Sequence, residues 1–250
     1  MSWYEEFGDQ VRLDEPLAPK TWFGLGGRAK YYVAPRDREQ LRRVVARLRE
    51  HEIALYVLGS GANLLVRDEG VDGAVICLSA PAFKEVSFGE ATMTAGAGKD
   101  VQKLVLECTH AGRAGLECLA GIPGSVGGEI RMNAGGAFGD IGSWVESVTV
   151  MDTNGEIFER GKDDLVFEYR KSNIAAKFVL GATFALEEDD PQRIMMKVKE
   201  IWMYKKNSQP LADKSAGCIF RNPRGMSAGA LIDQAGMKGA TLGGSEVSAK

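Results

Sequence analysis

Histidine is nearly missing from this 250-residue sequence, with His51 and His110 the only two. The four cysteines, Cys77, Cys108, Cys118 and Cys218, form no CxxC pair. Together these shortages argue against a zinc site, and no metal is expected. No apolar run approaches the ~20 residues that span a bilayer, so no membrane partner is expected. Neither sign of charge is in excess: 31 Lys and Arg against 34 Asp and Glu leave a net charge of −3. That balance carries no footprint for nucleic acid. The first ten residues, MSWYEEFGDQ, lack the basic start and apolar stretch of a signal peptide. A reduced, cytoplasmic protein is the expectation.

What the chain has in plenty is glycine, 31 residues, and it is clustered. The stretch 119–139, LAGIPGSVGGEIRMNAGGAFG, holds seven glycines and the polar side chains Ser125, Glu129, Arg131 and Asn133. Such a run implies positive φ or a close approach of backbone to something else. Consecutive free N–H groups there can form a nest for an anion, typically a phosphate. A plain surface loop explains the stretch equally well when it is taken alone. A second glycine loop, GSGANLLV at 59–66, follows the apolar strand 54–58. It is neither a Walker A loop nor GxGxxG, since no GK[ST] follows and Leu64 stands at the third glycine position. Ser60 and Asn63 add hydrogen-bonding side chains to it. Gly96 and Gly98 form a weaker third cluster.

The remaining pattern supplies a scaffold. Residues 1–20 read as a short amphipathic arm, and Tyr31–Val33 as a strand closed by Pro35. Asp37 is placed to cap a helix with Gln40 reaching back, and Leu41, Val44, Val45 and Leu48 share its apolar face. His51 is expected at the surface or at this helix's C-cap. A strand at 73–79, with Cys77 buried, and an alternating segment 83–98 turning near Gly89-Glu90 come next. A helix over roughly 100–112 then starts at Asp100. Asn154-Gly155 suits a type I′ hairpin between strands in 143–160. Beyond FEYRKSNI (167–174), a strand is expected at 177–187. A helix at 191–206 follows, with Pro191 first, Ile194, Val198, Ile201 and Trp202 facing in, and Met195-Met196 filling core. A last helix spans 228–239, ended near Gly236. Strands and short helices without regular βαβ alternation give an α+β class. Three segments are expected, 1–80, 81–190 and 191–250. Two glycine loops in adjoining segments suit a diphosphate-bearing cofactor held between domains, and the missing Rossmann fingerprint argues against nicotinamide bound in that way.

Six motifs in order carry a resemblance: TWFGLGGRAKYYVAP, VLGSGANLLV, LAGIPGSVGGEIRMNAGGAFG, FEYRKS, SAGCIFRNP and LIDQAGMKGATLGG. From about residue 20 to the end the chain resembles the UDP-N-acetylenolpyruvoylglucosamine reductases, the MurB family of peptidoglycan synthesis. The resemblance implies a two-part FAD-binding domain of the PCMH/vanillyl-alcohol-oxidase type and a smaller α/β substrate-binding domain. It implies non-covalent FAD, NADPH as hydride donor, and reduction of UDP-N-acetylglucosamine enolpyruvate to UDP-N-acetylmuramate. A monomeric enzyme of cell-wall biogenesis, and through it of cell shape and division, would follow. Gly59, Ser60, Gly61, Ala62 and Asn63 match the family's first diphosphate loop. Gly121, Ile122, Pro123, Gly124, Ser125, Gly127 and Gly128 match its second, with Ile122 and Pro123 against the flavin.

Arg170 matches the arginine of the FxYR motif. Its fork suits a carboxylate on which enolate charge builds as hydride arrives at the neighbouring methylene carbon. Cys218 stands where the family's SAGSxFKNP motif has its acid serine. Thiols, ordinarily near pKa ~8.5, are stronger acids than hydroxyls, so Cys218 is expected to donate the proton. Tyr169, Lys206, Asn222 and Lys238 match substrate-side positions, and Arg221 replaces a frequent lysine. The short interval from Arg170 to Cys218 matches the shorter, type II form. The family continues past VSAK to a late glutamate that has no counterpart before Lys250, so the resemblance implies a C-terminally incomplete enzyme. The rival readings are another PCMH-type FAD oxidase and a non-catalytic FAD-binding fragment.

Overall fold

Helix α1, Arg38–Glu50, shows how closely local chemistry decides this fold. Asp37 accepts a hydrogen bond from the Gln40 amide, capping the helix. The Gln40 side chain reaches back to the amide of Arg36, one residue earlier than a capping box would have it. Leu41, Val44, Val45 and Leu48 are each at most 2% exposed, worth roughly 1.5–3 kcal/mol apiece. His51 is the exposed C-cap. The computed structural model describes residues 2–209 and 213–249. Of the NSQPLADK connection, residues 210–212 therefore lie outside the described residues. The chain forms two compact units, Met1–Ser215 and Ala216–Lys250.

The first unit is built on two main sheets, one of four strands and one of five. β1 (Val11–Pro16), β2 (Arg28–Val33), β3 (Leu55–Leu58) and β4 (Val71–Cys77) pair in the order β1-β2-β4-β3. β2, β3 and β4 run parallel, joined through α1, and β1 closes the edge antiparallel. The second sheet is antiparallel throughout. In it, β5 (Val86–Phe88) pairs with β6 (Thr92–Gly96), then Phe178–Ala185, Val145–Met151 and Ile157–Gly161 follow in space. Helices α2 (Val101–His110), α3 (Val126–Met132) and α4 (Pro191–Ser208) pack on this half. Most of the buried apolar side chains, from Trp3 to Ile201, form one continuous core. The second unit holds α5 (Ala228–Gln234) and a small ribbon, Thr241–Leu242 with Ser245–Glu246.

Several local expectations need correction. The arm at 1–20 contains strand β1, and its Trp3, Phe7, Val11 and Leu17 are buried. Cys77 is half-buried at the end of β4. The hairpin at 152–156 is not a two-residue type I′ turn, because only Gly155 has positive φ (83°). Met151 pairs with Ile157, and Asp152 organises the longer loop by accepting from the amides of Asn154 and Glu156. An Asx side chain can replace a backbone turn in this way. On α4, Trp202 is 42% exposed and Met196 63%, while Lys205 is only 5% exposed. The apolar face runs Ile194, Val198, Ile201 and then Lys205. Helical geometry brings position 205 inward and turns 202 outward.

Candidate functional site

The two glycine loops meet. A Cβ on Gly59 would stand 2.6 Å from Ser125 Oγ, so the absence of a side chain lets the loop after β3 touch the start of α3. Gly61 is held by a second close approach. Its φ is 71°, its carbonyl accepts from Trp22, and a Cβ would collide with the Lys20 carbonyl oxygen. Replacing Gly61 by Ala combines strain with a clash, and we expect a stability loss of about 3 kcal/mol. Urea unfolding reads the loss directly, and an unchanged midpoint would contradict the packing. The amides of Gly61, Ala62 and Asn63 find no backbone acceptor among the described residues.

The second loop is built differently from a simple anion nest. Gln102 on α2 braces it, donating to the Leu119 and Ile122 carbonyls and accepting from the Gly121 amide. The amides of Ile122, Val126 and Gly127 are bonded to Leu119, Lys99 and Ala97. Those four N–H groups are therefore committed within the protein. Ser60, Asn63 and Gly128 are exposed; Ala62, Gly121, Ile122, Pro123 and Gly127 are half-buried; Gly124 and Ser125 are buried. A cavity of about 440 Å³ opens nearby, with Tyr56, Val57, Leu64, Arg131, Ala175 and Lys177 in its lining. Open amides, two loops touching at a glycine, and an adjoining cavity fit an extended diphosphate cofactor.

α3 links this loop to the Arg170 hairpin. At its far end, Asn133 takes φ 43° as the C-cap, donates to the Glu168 carbonyl and accepts from the Gly142 amide. Arg131 donates to the carbonyls of Ile174, Ala176 and Lys177. Ser172 Oγ donates to the Arg131 carbonyl. So anchored, Phe167–Glu168 pairs with Lys171–Ser172 across a two-residue turn. Tyr169 and Arg170 form that turn, and Arg170 has φ 58°. Its Nη1 donates to the Gly135 carbonyl at 2.9 Å, and its guanidinium lies 5.3 Å from the Tyr169 ring centre.

Two ionisable residues to which the sequence assigns no role, Lys205 and Glu129, are buried here. Lys205 donates to the carbonyls of Cys118 (2.9 Å) and Ala120 (2.7 Å), with its stem under Gly121. Burial pushes its pKa down to about 8. Glu129 is 8% exposed and folds onto Gly124, where a Cβ would land on its Oε1. Burial pushes its pKa up to about 7, against the pull of Arg170 and Lys205. A lysine on the apolar face of α4 was a legible signal; a carboxylate among glycines was a weaker one.

The raised Glu129 value has a thermodynamic sign. Between pH 4.5 and 7 the folded chain keeps a proton that the unfolded chain has released, so folding is favoured at the acid end. Wild-type stability relative to Glu129→Gln should fall as pH rises from 5 to 7.5. Parallel urea midpoints across that range would refute the shift.

Comparison with known proteins agrees with this geometry. Residues 29–161 match the FAD binding domain family, and 209–250 match the UDP-N-acetylenolpyruvoylglucosamine reductase C-terminal domain. The UDP-N-acetylenolpyruvoylglucosamine reductase of Bradyrhizobium sp. (strain ORS 278) is 37% identical over 240 residues, 96% of this chain and 78% of that protein. The chain belongs to the UDP-N-acetylenolpyruvoylglucosamine reductase family. The crystal structure of the Thermus caldophilus enzyme of this family superposes with a TM-score of 0.79 at 37% identity, covering 95% of this chain and 84% of that one. A vanillyl-alcohol-oxidase-type flavoprotein from Myceliophthora thermophila, at 15% identity and TM-score 0.51 over 64% of this chain and 32% of that one, shares the fold. The α+β, FAD-binding architecture of this reductase family is therefore the fold of this chain.

The remaining family-motif positions are placed as follows. Lys206 is exposed, its Nζ 5.1 Å from the Trp202 ring centre. In the second unit Cys218 is exposed. The Asn222 side-chain oxygen accepts from the Ala228 amide beside the start of α5, and Lys238 pairs with Asp233 at 3.2 Å. Among the described residues no cluster of three or more His, Cys, Asp or Glu could hold a metal, and no helix is long and apolar enough to cross a membrane.

Proposed function

We propose that this chain reduces UDP-N-acetylglucosamine enolpyruvate to UDP-N-acetylmuramate with NADPH, in peptidoglycan synthesis. The observation that carries the reading is the contact of Gly59 with Ser125, which joins the two glycine loops beside the anchored Arg170 hairpin. Gly59–Asn63 would hold the cofactor diphosphate through open amides, and Gly121–Ser125 with Gly127 and Gly128 would form the opposite wall. FAD held there and reduced by NADPH would supply hydride chemistry toward the methylene carbon of the enolpyruvyl group. Arg170 holds the substrate carboxylate and stabilises the enolate charge that develops there. Cys218 gives its thiol proton to the adjacent carbon, completing addition of H⁻ and H⁺ across the double bond. Tyr169, Lys206, Asn222 and Lys238 are the further residues that would bind the UDP-sugar.

An anaerobic titration tests this directly. The FAD-loaded protein should bleach on addition of NADPH and regain its yellow absorbance when the enolpyruvyl sugar is added. Recovery only with oxygen would indicate an oxidase. No bleaching would remove NADPH as the donor.

A further inference from the structure

Arg170 owes its place to a chain of contacts that begins at the second glycine loop. The start of α3 is pinned there. Ser125 stands against Gly59, and the amides of Val126 and Gly127 are bonded to the carbonyls of Lys99 and Ala97. α3 is seven residues long, about 10 Å of helix, and Asn133 is its C-cap. The Asn133 side chain is buried, and both of its polar atoms are used on other elements. Its Nδ2 donates to the Glu168 carbonyl at 3.1 Å, and its Oδ1 accepts from the Gly142 amide at 3.0 Å. Glu168 lies in the first strand of the hairpin that carries Arg170. The second strand is tied to the same end of the helix, since Ser172 Oγ donates to the Arg131 carbonyl. Arg170 itself donates to the carbonyl of Gly135, just beyond Asn133.

Backbone strain marks the same link. Among the described residues, the non-glycine positions with positive φ are Asp14, Glu52, Asn133 and Arg170. Two of these four stand at the two ends of the connection, where strain of this kind points to function. A left-handed helix cap is usually glycine and sometimes asparagine. Glycine at 133 would take the conformation with less strain. It would also leave the Glu168 carbonyl and the Gly142 amide without the side chain that joins them.

We propose that Asn133 is a positioning residue for the reduction: its amide fixes the Arg170 hairpin to the end of α3 and so sets where Arg170 stands relative to the second glycine loop. Misplacing a reacting group by about 1 Å can cost on the order of 10²-fold in rate. The enolate-stabilising role of Arg170 rests on the function proposed above; the fixing of its side chain by Asn133 does not.

Single-turnover kinetics of the FAD-loaded protein test this. Asn133→Gly should be reduced by NADPH within about twofold of the wild-type rate, and reoxidised by saturating enolpyruvyl sugar roughly 30- to 100-fold more slowly. In an Arg170→Gln background the same change should cost less than about twofold more, because Asn133 acts through Arg170. Gly142→Ala disturbs the joint from its other side, since a Cβ there would stand 2.7 Å from Asn133 Oδ1 and against the Phe167 ring. It should show the same split between the half-reactions. A wild-type reoxidation rate in Asn133→Gly, or a loss that multiplies with that of Arg170→Gln, would overturn the proposal. Should the wild-type protein turn over no sugar, the functional reading falls and NMR still decides the positioning. A guanidinium held at one Nη rotates slowly and gives resolved Nη resonances in nitrogen-15 spectra of arginine-labelled protein. With Arg170→Gln for assignment, those of Arg170 should be resolved in wild type and merge in Asn133→Gly. Resonances equally resolved in both proteins refute the positioning role.

Discussion

Replacing Arg170 by Gln is expected to lower turnover of the enolpyruvyl sugar about 10³-fold, the scale seen when a preorganised donor to a developing oxyanion is removed. Bleaching of bound FAD by NADPH should be unaffected, because the loss falls on the second half of the reaction. The backbone offers a discriminating companion. Arg170 has φ 58° in a two-residue turn, a conformation that costs a side-chain-bearing residue on the order of 1 kcal/mol and glycine almost nothing. Arg170→Gly should therefore be at least as stable as wild type while losing the same activity. Strain of this kind persists where the surroundings over-determine it, and here Asn133, Arg131 and Ser172 hold the hairpin on both sides. Stability readings come from urea unfolding and activity from single-turnover flavin reoxidation. If Arg170→Gln reoxidises at the wild-type rate, Arg170 does not stabilise the enolate.

The second large effect is expected at Cys218. Removing a positioned general acid costs about 10²–10⁴-fold. Cys218→Ala should thus nearly abolish reoxidation of reduced flavin by the sugar while leaving reduction by NADPH intact. Cys218→Ser restores an O–H donor at the same position and should recover part of the rate. The Ser and Ala variants differ by a single polar atom at an exposed site, so a difference between them reports proton donation and not packing. Equal, wild-type rates in both would take Cys218 out of the mechanism.

Much of the scaffold could be read before any coordinates. The capped helix α1, the strands on either side of it, the helix starting at Asp100 and the long strand at 178–185 follow from caps and period; that β2, β3 and β4 pair parallel does not. The misreadings share one cause. Trp202 and Lys205 compete for the inner face of α4, and hydrophobicity favours the wrong one. Lys205 goes inside because the carbonyls of Cys118 and Ala120 receive its ammonium, and their position belongs to another part of the fold. Asn154-Gly155 is a strong local turn signal, yet Asp152 outbids it with two side-chain hydrogen bonds to the loop.

The sequence by itself determined the order of the motifs, the family they mark and most element positions, since caps, periodicity and turn residues act over a few neighbours. It also named Arg170 and Cys218, through the motifs around them. Only the tertiary structure decided that Ser125 meets Gly59, that Gln102 and neighbouring carbonyls occupy four amides of the second loop, and that Glu129 is buried against Gly124. Glycine leaves no periodic trace of what approaches it. The charge state of a buried carboxyl is likewise set by burial and by partners distant in the chain, which no local pattern records.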